Sequence, residues 1–481
     1  MSLKKEKRDI TSNMVWHLAE KWGCQFVSFL VTIIISRQLD PSVYGVVAIT
    51  TTFISVFSVF IDGGLGNALI QKKDADEVDF STVFYANSIL CLVVYLLLFL
   101  CAPLIARFYN LPELVDLIRV LGIIILVSGL KNIQQTYVAK NMIFKKFFFS
   151  SLTGTIISGI VGIYLAIKGY GSWALVYASL TDVIVDTVFM WFSIKWRPKK
   201  IFSFDRLKEL FGFGSKVLVA TFIDRVYNKM YHLSIGKYCP SSDLAYYEKG
   251  YSITSKIADN TNTVISSVLF PAMSNSQDEK EKVKDIAKNT LKVNTYVITP
   301  LLAGLMAICY PLVKVVLTDK WLPAVIFIRI FCLINILIPF DTINVNVTKS
   351  MGKSDILLKQ EVIIKIICVV ILAVSLRYGA LAVVIGKLLS VIVGIIIKSN
   401  PTEKLISYSL PQQLKDTSKI FLANMIMAFA VYSISLLNIN IYLLLFVQIV
   451  LGVVIYISLS YLLKLDSFDF LLNYVRKIRK A

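Results

Sequence analysis

Residues 81–106 read STVFYANSILCLVVYLLLFLCAPLIA, and from Ile89 to Leu104 every position except Pro103 is apolar. As a helix the stretch is about 39 Å long, enough to cross a hydrocarbon core of about 30 Å. It has neither the alternation of a half-buried strand nor the single apolar stripe of a soluble helix. Runs of this kind recur from Thr11 to Leu463, joined by short Lys-rich connections. Helices are expected near 12–36, 43–61, 81–106, 114–137, 150–167, 172–194, 212–236, 245–273, 291–317, 322–346, 356–376, 380–397, 418–437 and 441–463. The chain therefore reads as an all-α polytopic membrane protein of about fourteen spans.

Composition agrees. The 481 residues are 56% hydrophobic, with a mean hydropathy of +0.71, and no polar segment is long enough for a soluble domain. A formal charge of +19 could suggest nucleic acid, but the basic residues are scattered over many short loops rather than gathered on one polar domain. Nucleic acid is not an expected partner; membrane lipids are. The cysteines show no CxxC or Cys/His spacing and read as small packing residues. Lys4, Lys5, Lys7 and Arg8 precede an apolar stretch as in a signal peptide, yet Glu20 and Lys21 interrupt it. The first helix is expected to be an uncleaved start-transfer segment.

Basic loops resist translocation, so their distribution orients the chain. Alternate connections carry Lys72, Lys73; Lys140, Lys145, Lys146; Lys195 to Lys208; Lys280 to Lys292; Lys349 to Lys359; and Lys398 to Lys419. The others carry only Arg37, Arg107, Lys168, Lys237, Lys320 and Arg377. This bias puts both termini in the cytoplasm and requires an even number of helices. Residues 195–211 mix Trp196, Ile201, Phe202, Phe204 and Leu207 with basic residues, as an amphipathic segment on an anionic inner leaflet would. The segment divides the chain into 1–194 (helices one to six), 212–397 (helices seven to twelve) and 398–481 (helices thirteen and fourteen with a basic tail). Trp16 to Val46 and Phe213 to Tyr247 share a plan, a long helix and then a Pro turn (Leu39-Asp40-Pro41-Ser42; Cys239-Pro240-Ser241-Ser242), which suggests related lobes.

Several stretches carry a family likeness. They are Leu39-Asp40-Pro41 with Tyr44-Gly45; Asp62-Gly63-Gly64-Leu65-Gly66-Asn67-Ala68-Leu69-Ile70-Gln71-Lys72; Ala102-Pro103-Leu104-Ile105-Ala106 and Phe108-Tyr109; Gly171-Ser172-Trp173-Ala174-Leu175-Val176; Trp196-Arg197-Pro198; Phe211-Gly212-Phe213-Gly214; Asp224-Arg225; and Val268-Leu269-Phe270-Pro271-Ala272-Met273-Ser274. In this order, to about residue 275, the chain resembles the polysaccharide transporter family, the O-antigen and teichuronic acid flippases of the multidrug/oligosaccharidyl-lipid/polysaccharide exporter superfamily. The resemblance implies two pseudo-symmetric six-helix lobes plus a C-terminal pair, in a MATE-like flippase fold around a central cavity. It also implies a polyprenyl-pyrophosphate-linked glycan as cargo, moved from the inner to the outer leaflet of a bacterial cytoplasmic membrane, with a polysaccharide polymerase as a candidate partner. Family members often carry a second acidic residue near Asn228, where this chain has Asn228-Lys229.

Charges within the expected spans mark the candidate site. Three central charges facing lipid would cost roughly 9 kcal/mol, so Asp224, Arg225 and Lys229 in the seventh helix must meet water or partners. Arg225, Lys229 and His232 follow at i, i+4 and i+7 on one stripe. The eighth helix carries Ser252, Ser255, Asp259, Asn262 and Ser266 at three- and four-residue steps, with Lys249 and Lys256. These net-basic helices, with Arg329, are expected to line a cavity and hold a pyrophosphate. The alternative is that Asp224, Arg225 and Lys229 neutralise one another. Gate or ion-coupling candidates are Glu20 and Lys21, for which plain burial between helices is an equal reading; Asp62, for which a plain helix C-cap before its glycines is preferred to a hinge; Asp182 and Asp186, which share a helix face and bind a cation or pair with Lys131; and Asp224 and Asp259. Asp341, Lys387 and the Glu361/Lys365 pair are further wall or salt-bridge candidates.

No GxSxG, Walker loop, HExxH or paired-carboxylate motif stands in a credible setting. The chain is expected not to be an enzyme and to need no cofactor or metal, with a Na+ or H+ gradient, or consumption of product outside, as its energy source. An ion-coupled multidrug or metabolite exporter on the same fold is the second reading. A cavity for cationic drugs should be acidic, and Arg225, Lys229, Lys249 and Lys256 oppose that. A glycan polymerase or acyltransferase would need a large outer loop, which this topology lacks.

Overall fold

The computed structural model describes residues 3–62, 64–141, 144–437 and 439–469; the side chains of 3–15, 17–19, 62, 144–146, 213, 216, 264, 267 and 268 fall outside that description. Helices follow one another as α1 (Leu3–Gln38), α2 (Pro41–Phe57), α3 (Val59–Asp62), α4 (Leu65–Gln71), α5 (Glu77–Tyr109), α6 (Leu114–Lys140), α7 (Phe144–Ile167), α8 (Ser172–Ser193), α9 (Phe204–Tyr238), α10 (Ser241–Ser274), α11 (Lys280–Val316), α12 (Ala324–Ile336), α13 (Ile338–Ser350), α14 (Ser354–Ser375), α15 (Ala380–Ile406), α16 (Leu410–Ser433) and α17 (Ile441–Leu462). No strand occurs among the described residues. Nine helical segments among them are long and apolar enough to cross a membrane. In lipid every backbone polar group must be satisfied within the chain, and helices do this locally.

The deciding stretch lies in α5. Asp76 caps the helix, its carboxylate accepting from Asp79 N at 2.9 Å while Asp79 accepts from Asp76 N at 3.2 Å. One face of the helix buries Asn87, Cys91, Val94, Leu98 and Ala102, and the opposite face leaves Leu92, Leu96, Leu100 and Leu104 exposed. Small groups on the packed face allow close approach: a Cβ on Gly129 of α6 would lie 2.7 Å from Cys91 Sγ. This distribution, small side chains inward and leucines outward, is that of a helix whose solvent is lipid.

Where the sequence suggests continuous spans, two are broken. The segment around 43–61 divides into α2, α3 and α4, with Gly64 at φ +67° before α4. The segment 322–346 divides at Leu337, with Pro339 the second residue of α13. Proline lacks the N–H that would continue the earlier helix, and glycine tolerates the left-handed turn. Several helices run past their apolar cores: α11 starts at Lys280 and α16 at Leu410, because charged residues continue a helix beyond the depth that hydropathy registers.

The chain forms two compact units, 1–245 and 246–481. Helix α9, assigned from the sequence to a lobe starting at 212, packs on α2, α4 and α5 of the first unit. The Ile49 side chain would lie 2.9 Å from a Cβ on Gly236, so only glycine permits this approach. The core of the first unit gathers Leu69, Phe80, Val83, Ile133, Met190 and Trp196. In the second unit one cluster joins Met273, Leu291, Phe340 and Tyr408, and another joins Tyr296, Ala423, Met427 and Tyr456.

Candidate functional site

Helix α9 carries the charges that most need an explanation. Its start is fixed by Ser203, whose hydroxyl accepts from Arg206 N at 3.4 Å, and by a crossing where Gly214 meets Gly64 so closely that a Cβ on Gly64 would overlap the Gly214 carbonyl. Its far end is held by Tyr109, which donates to Leu233 O at 3.1 Å, and by Lys237, which donates to Phe108 O. Between these anchors Asp224, Arg225 and Asn228 are exposed and Lys229 is half-buried. Asn228 Nδ2 donates to Asp224 Oδ2 at 2.9 Å. Among the described residues neither Arg225 nor Lys229 has an ion-pair partner, so the mutual neutralisation weighed from the sequence does not occur. The i, i+4 spacing pairs Asp224 with a neutral amide and Arg225 with another cation. Two like charges one turn apart repel, and an anion placed against them relieves that repulsion. His232 departs from the expected stripe: it is 3% exposed beside buried Tyr231 and Ile235. At that height α9 presses on its neighbours, and the ring is packed in.

In the second unit the polar residues of α10 divide. Asn335 Nδ2 donates to Thr254 Oγ1 at 2.8 Å, Thr342 Oγ1 to Asn262 Oδ1 at 2.5 Å, and Asn346 Nδ2 to Ser266 Oγ at 3.5 Å. This ladder ties α10 to α12 and α13, so Asn262 and Ser266 serve helix packing. Lys256 and Asp259 remain exposed. Lys249, expected on a cavity wall, is buried with its ammonium 5.0 Å from the Trp321 ring centroid, where the indole face favours a cation. Arg329 is half-buried on α12. Lys387 donates to Tyr247 Oη at 3.2 Å and lies 4.9 Å from the Tyr251 ring and 5.2 Å from that of Phe331. Lys398 bridges Asp341 at 2.9 Å and Glu361 at 2.8 Å. The sequence reading missed this bridge because Lys398 was counted in a loop, whereas α15 continues through it.

The acidic pair of α8 also resolves. Lys131 Nζ lies 2.5 Å from Asp186 Oδ2, and Ser150 donates to the other oxygen of the same carboxylate. Asp186 is thus paired rather than free to bind a cation. Asp182 faces α7 at Gly154, where a Cβ would lie 2.9 Å from the Asp182 carbonyl. Glu20 is half-buried and Lys21 exposed on α1. Asp62 ends α3, and its side chain lies outside the described residues.

A polar clamp that the sequence reading missed joins the 195–211 segment to α5. Buried Asp79 meets Lys72 at 3.1 Å and Arg206 at 3.6 Å, and Lys72 also meets Glu209 at 3.2 Å. The hydrogen bond from Asp79 N, aided by Arg206, holds the Asp76 carboxyl below its usual range. Trp196 stacks on Tyr137, with centroids 6.1 Å apart, while Ile201, Phe202, Phe204 and Phe211 remain exposed. The available signal was Asp76-x-x-Asp79 before an apolar run, a capping box.

Comparison with known proteins places this geometry. The family described as "Polysaccharide biosynthesis protein" matches residues 34–326, more than half of the chain. The chain belongs to that family. Among its relatives in the polysaccharide biosynthesis family, the teichuronic acid biosynthesis protein TuaB of Bacillus subtilis (strain 168) is 28% identical over 305 residues, 62% of each chain. The succinoglycan biosynthesis transport protein ExoT of Rhizobium meliloti (strain 1021) is 23% identical over 318 residues, 65% of this chain and 64% of that protein. The chain thus matches just under two thirds of the length of these curated relatives. Among solved structures, the lipid II flippase MurJ in an inward closed conformation superposes with a TM-score of 0.74 at 15% identity, covering 94% of this chain and 98% of that one. An inward-facing MATE multidrug resistance transporter of the MOP superfamily gives 0.60 at 15% identity, covering 79% and 95%. At these identities the likeness shows the fold: this member of the polysaccharide biosynthesis family is built as MurJ and MATE transporters are.

Proposed function

We propose that this chain is a flippase for a polyprenyl-pyrophosphate-linked oligosaccharide, carrying the repeat unit from the inner to the outer leaflet of the bacterial cytoplasmic membrane by alternating access. In this reading fourteen helices span the bilayer, both termini are cytoplasmic, and a surface-polysaccharide polymerase consumes the product. The observation that carries the proposal is the uncompensated pair Arg225 and Lys229, well inside the length of α9. Charges at bilayer depth are costly and are retained where a ligand or water meets them. A pyrophosphate supplies the missing counter-charge, and the guanidinium of Arg225 suits its oxygens through paired hydrogen bonds. The names of TuaB, ExoT and MurJ, proteins of teichuronic acid biosynthesis, succinoglycan transport and lipid II flipping, agree with such a cargo.

Arg225→Ala, at unchanged protein abundance, is expected to stop surface-polysaccharide export and to leave the lipid-linked precursor at the cytoplasmic leaflet. Normal export in that variant would remove the proposal's main support. Coupling to Na+ or H+ belongs to the same proposal, with Asp224, Asp182 and Asp259 as the candidate carboxylates. Export of a cationic drug is the weaker reading, since the exposed charge of α9 beside Asp224 is predominantly positive.

A further inference from the structure

The first unit contains a cleft of about 330 Å³ bordered by α4, α6 and α9, within the range of about 300–1,000 Å³ typical of small-molecule sites. Its polar lining is Asn67, Asn132, Gln135, Thr136 and Thr221, and no charged side chain is among its lining residues. Glycine keeps it open. Gly64, at φ +67°, turns the chain into α4 and admits the Gly214 backbone, and a Cβ on Gly66 would lie 3.0 Å from Thr136 Oγ1.

The hydrogen-bonding capacity of the cleft is specific. Thr136 donates to Asn132 O at 3.1 Å and Thr221 to Val217 O at 2.8 Å, which leaves their oxygens as acceptors. The amides of exposed Asn67 and half-buried Gln135 make no hydrogen bond among the described residues, and each offers two donors and an acceptor. A wall of neutral donors and acceptors does not suit a phosphate, which needs cations, or a metal ion, which needs carboxylates. It matches a neutral polyol, whose hydroxyls both give and accept. The placement along α9 adds to this. Thr221 and Arg225 stand at i, i+4 on one face of α9, so the backbone of the residue assigned to the pyrophosphate lies about 6 Å, one turn, from that of Thr221 in the cleft wall.

We propose that this cleft is the subsite for the neutral sugar next to the pyrophosphate of the cargo; the proposal rests on the flippase reading above. The test uses the purified full chain in detergent with two probes, farnesyl pyrophosphate and the same lipid pyrophosphate bearing one neutral hexose. The wild type is expected to bind the hexose-bearing probe about tenfold more tightly, the value of two or so net hydrogen bonds. Asn67→Ala/Gln135→Ala is expected to bind both probes equally while keeping the wild-type affinity for farnesyl pyrophosphate, which also reports that it is folded. Thr221→Val, nearly isosteric, gives a second reading should the double variant misfold, and is expected to weaken the preference. No preference in the wild type, or a full preference in these variants, overturns the subsite. Failure of farnesyl pyrophosphate to bind the wild type, or undiminished binding to Arg225→Ala, overturns the flippase reading and the subsite together.

Discussion

Lys131 and Asp186 show what a single contact decides. From sequence, two carboxylates on one face of a helix suit a cation as well as they suit a lysine. At 2.5 Å, with both side chains nearly buried, the lysine occupies the position a cation would take. Removing one partner of such a pair strands a buried charge, so Lys131→Met is expected to destabilise the protein by about 3–5 kcal/mol. Lys131→Met/Asp186→Asn should recover much of that loss, as read by thermal unfolding in detergent; a double variant as unstable as the single one would contradict the pairing. Asp76 gives a second expectation. Its folded carboxyl titrates below the unfolded value, so its stabilising effect is complete above that unfolded value, about 3.9, and is lost as pH falls through the lower folded one. Unfolding temperature should therefore owe nothing to Asp76 titration between pH 5 and 7, and Asp76→Asn should remove part of the acid sensitivity below about pH 4. The charges of α9 were legible as residues that must meet water or a partner. That Arg225 has no ion-pair partner among the described residues while His232 is packed away was not legible, because one helical stripe crosses from an open to a covered region.

Among the elements, the glycine motifs acquire distinct roles. Gly63-Gly64 and Phe211-Gly212-Phe213-Gly214 lie far apart in sequence, and the fold brings Gly64 and Gly214 together backbone to backbone. Likewise the two Pro turns that suggested related halves meet where a Cβ on Gly45 would overlap the Ser241 carbonyl. Gly45→Ala and Gly64→Ala are each expected to cost at least 1–3 kcal/mol, about the usual penalty for overpacking, with a left-handed backbone adding to it at Gly64. Lower abundance in the membrane and a lower unfolding temperature would report this. Gly212→Ala is the contrast: nothing lies within 4 Å of its added methyl, so it should be tolerated. Sequence marks all three as similar motif glycines, and only the helix crossings separate them.

At the scale of the whole molecule, the uneven distribution of Lys and Arg over alternate connections makes a topological prediction. In a background with the native cysteines replaced by alanine, Lys284→Cys should react with an impermeant maleimide only from the cytoplasmic face, and Lys168→Cys only from outside. The reverse pattern would invert the orientation proposed here. The apolar runs and their basic connections were readable because the bilayer acts on composition: about twenty apolar residues suffice for a span whatever they touch. The sequence by itself therefore determined an all-helical, multi-span membrane protein and pointed to the residues that lipid would not tolerate. Tertiary structure alone decided that α9 joins the first unit, that Lys249, Lys387 and Lys398 are enclosed by aromatic rings or carboxylates, and that Arg225 and Lys229 have no ion-pair partner among the described residues. The physical reason is range: hydropathy is set within each helix, whereas the partner of a charge is chosen by which distant helix packs against it.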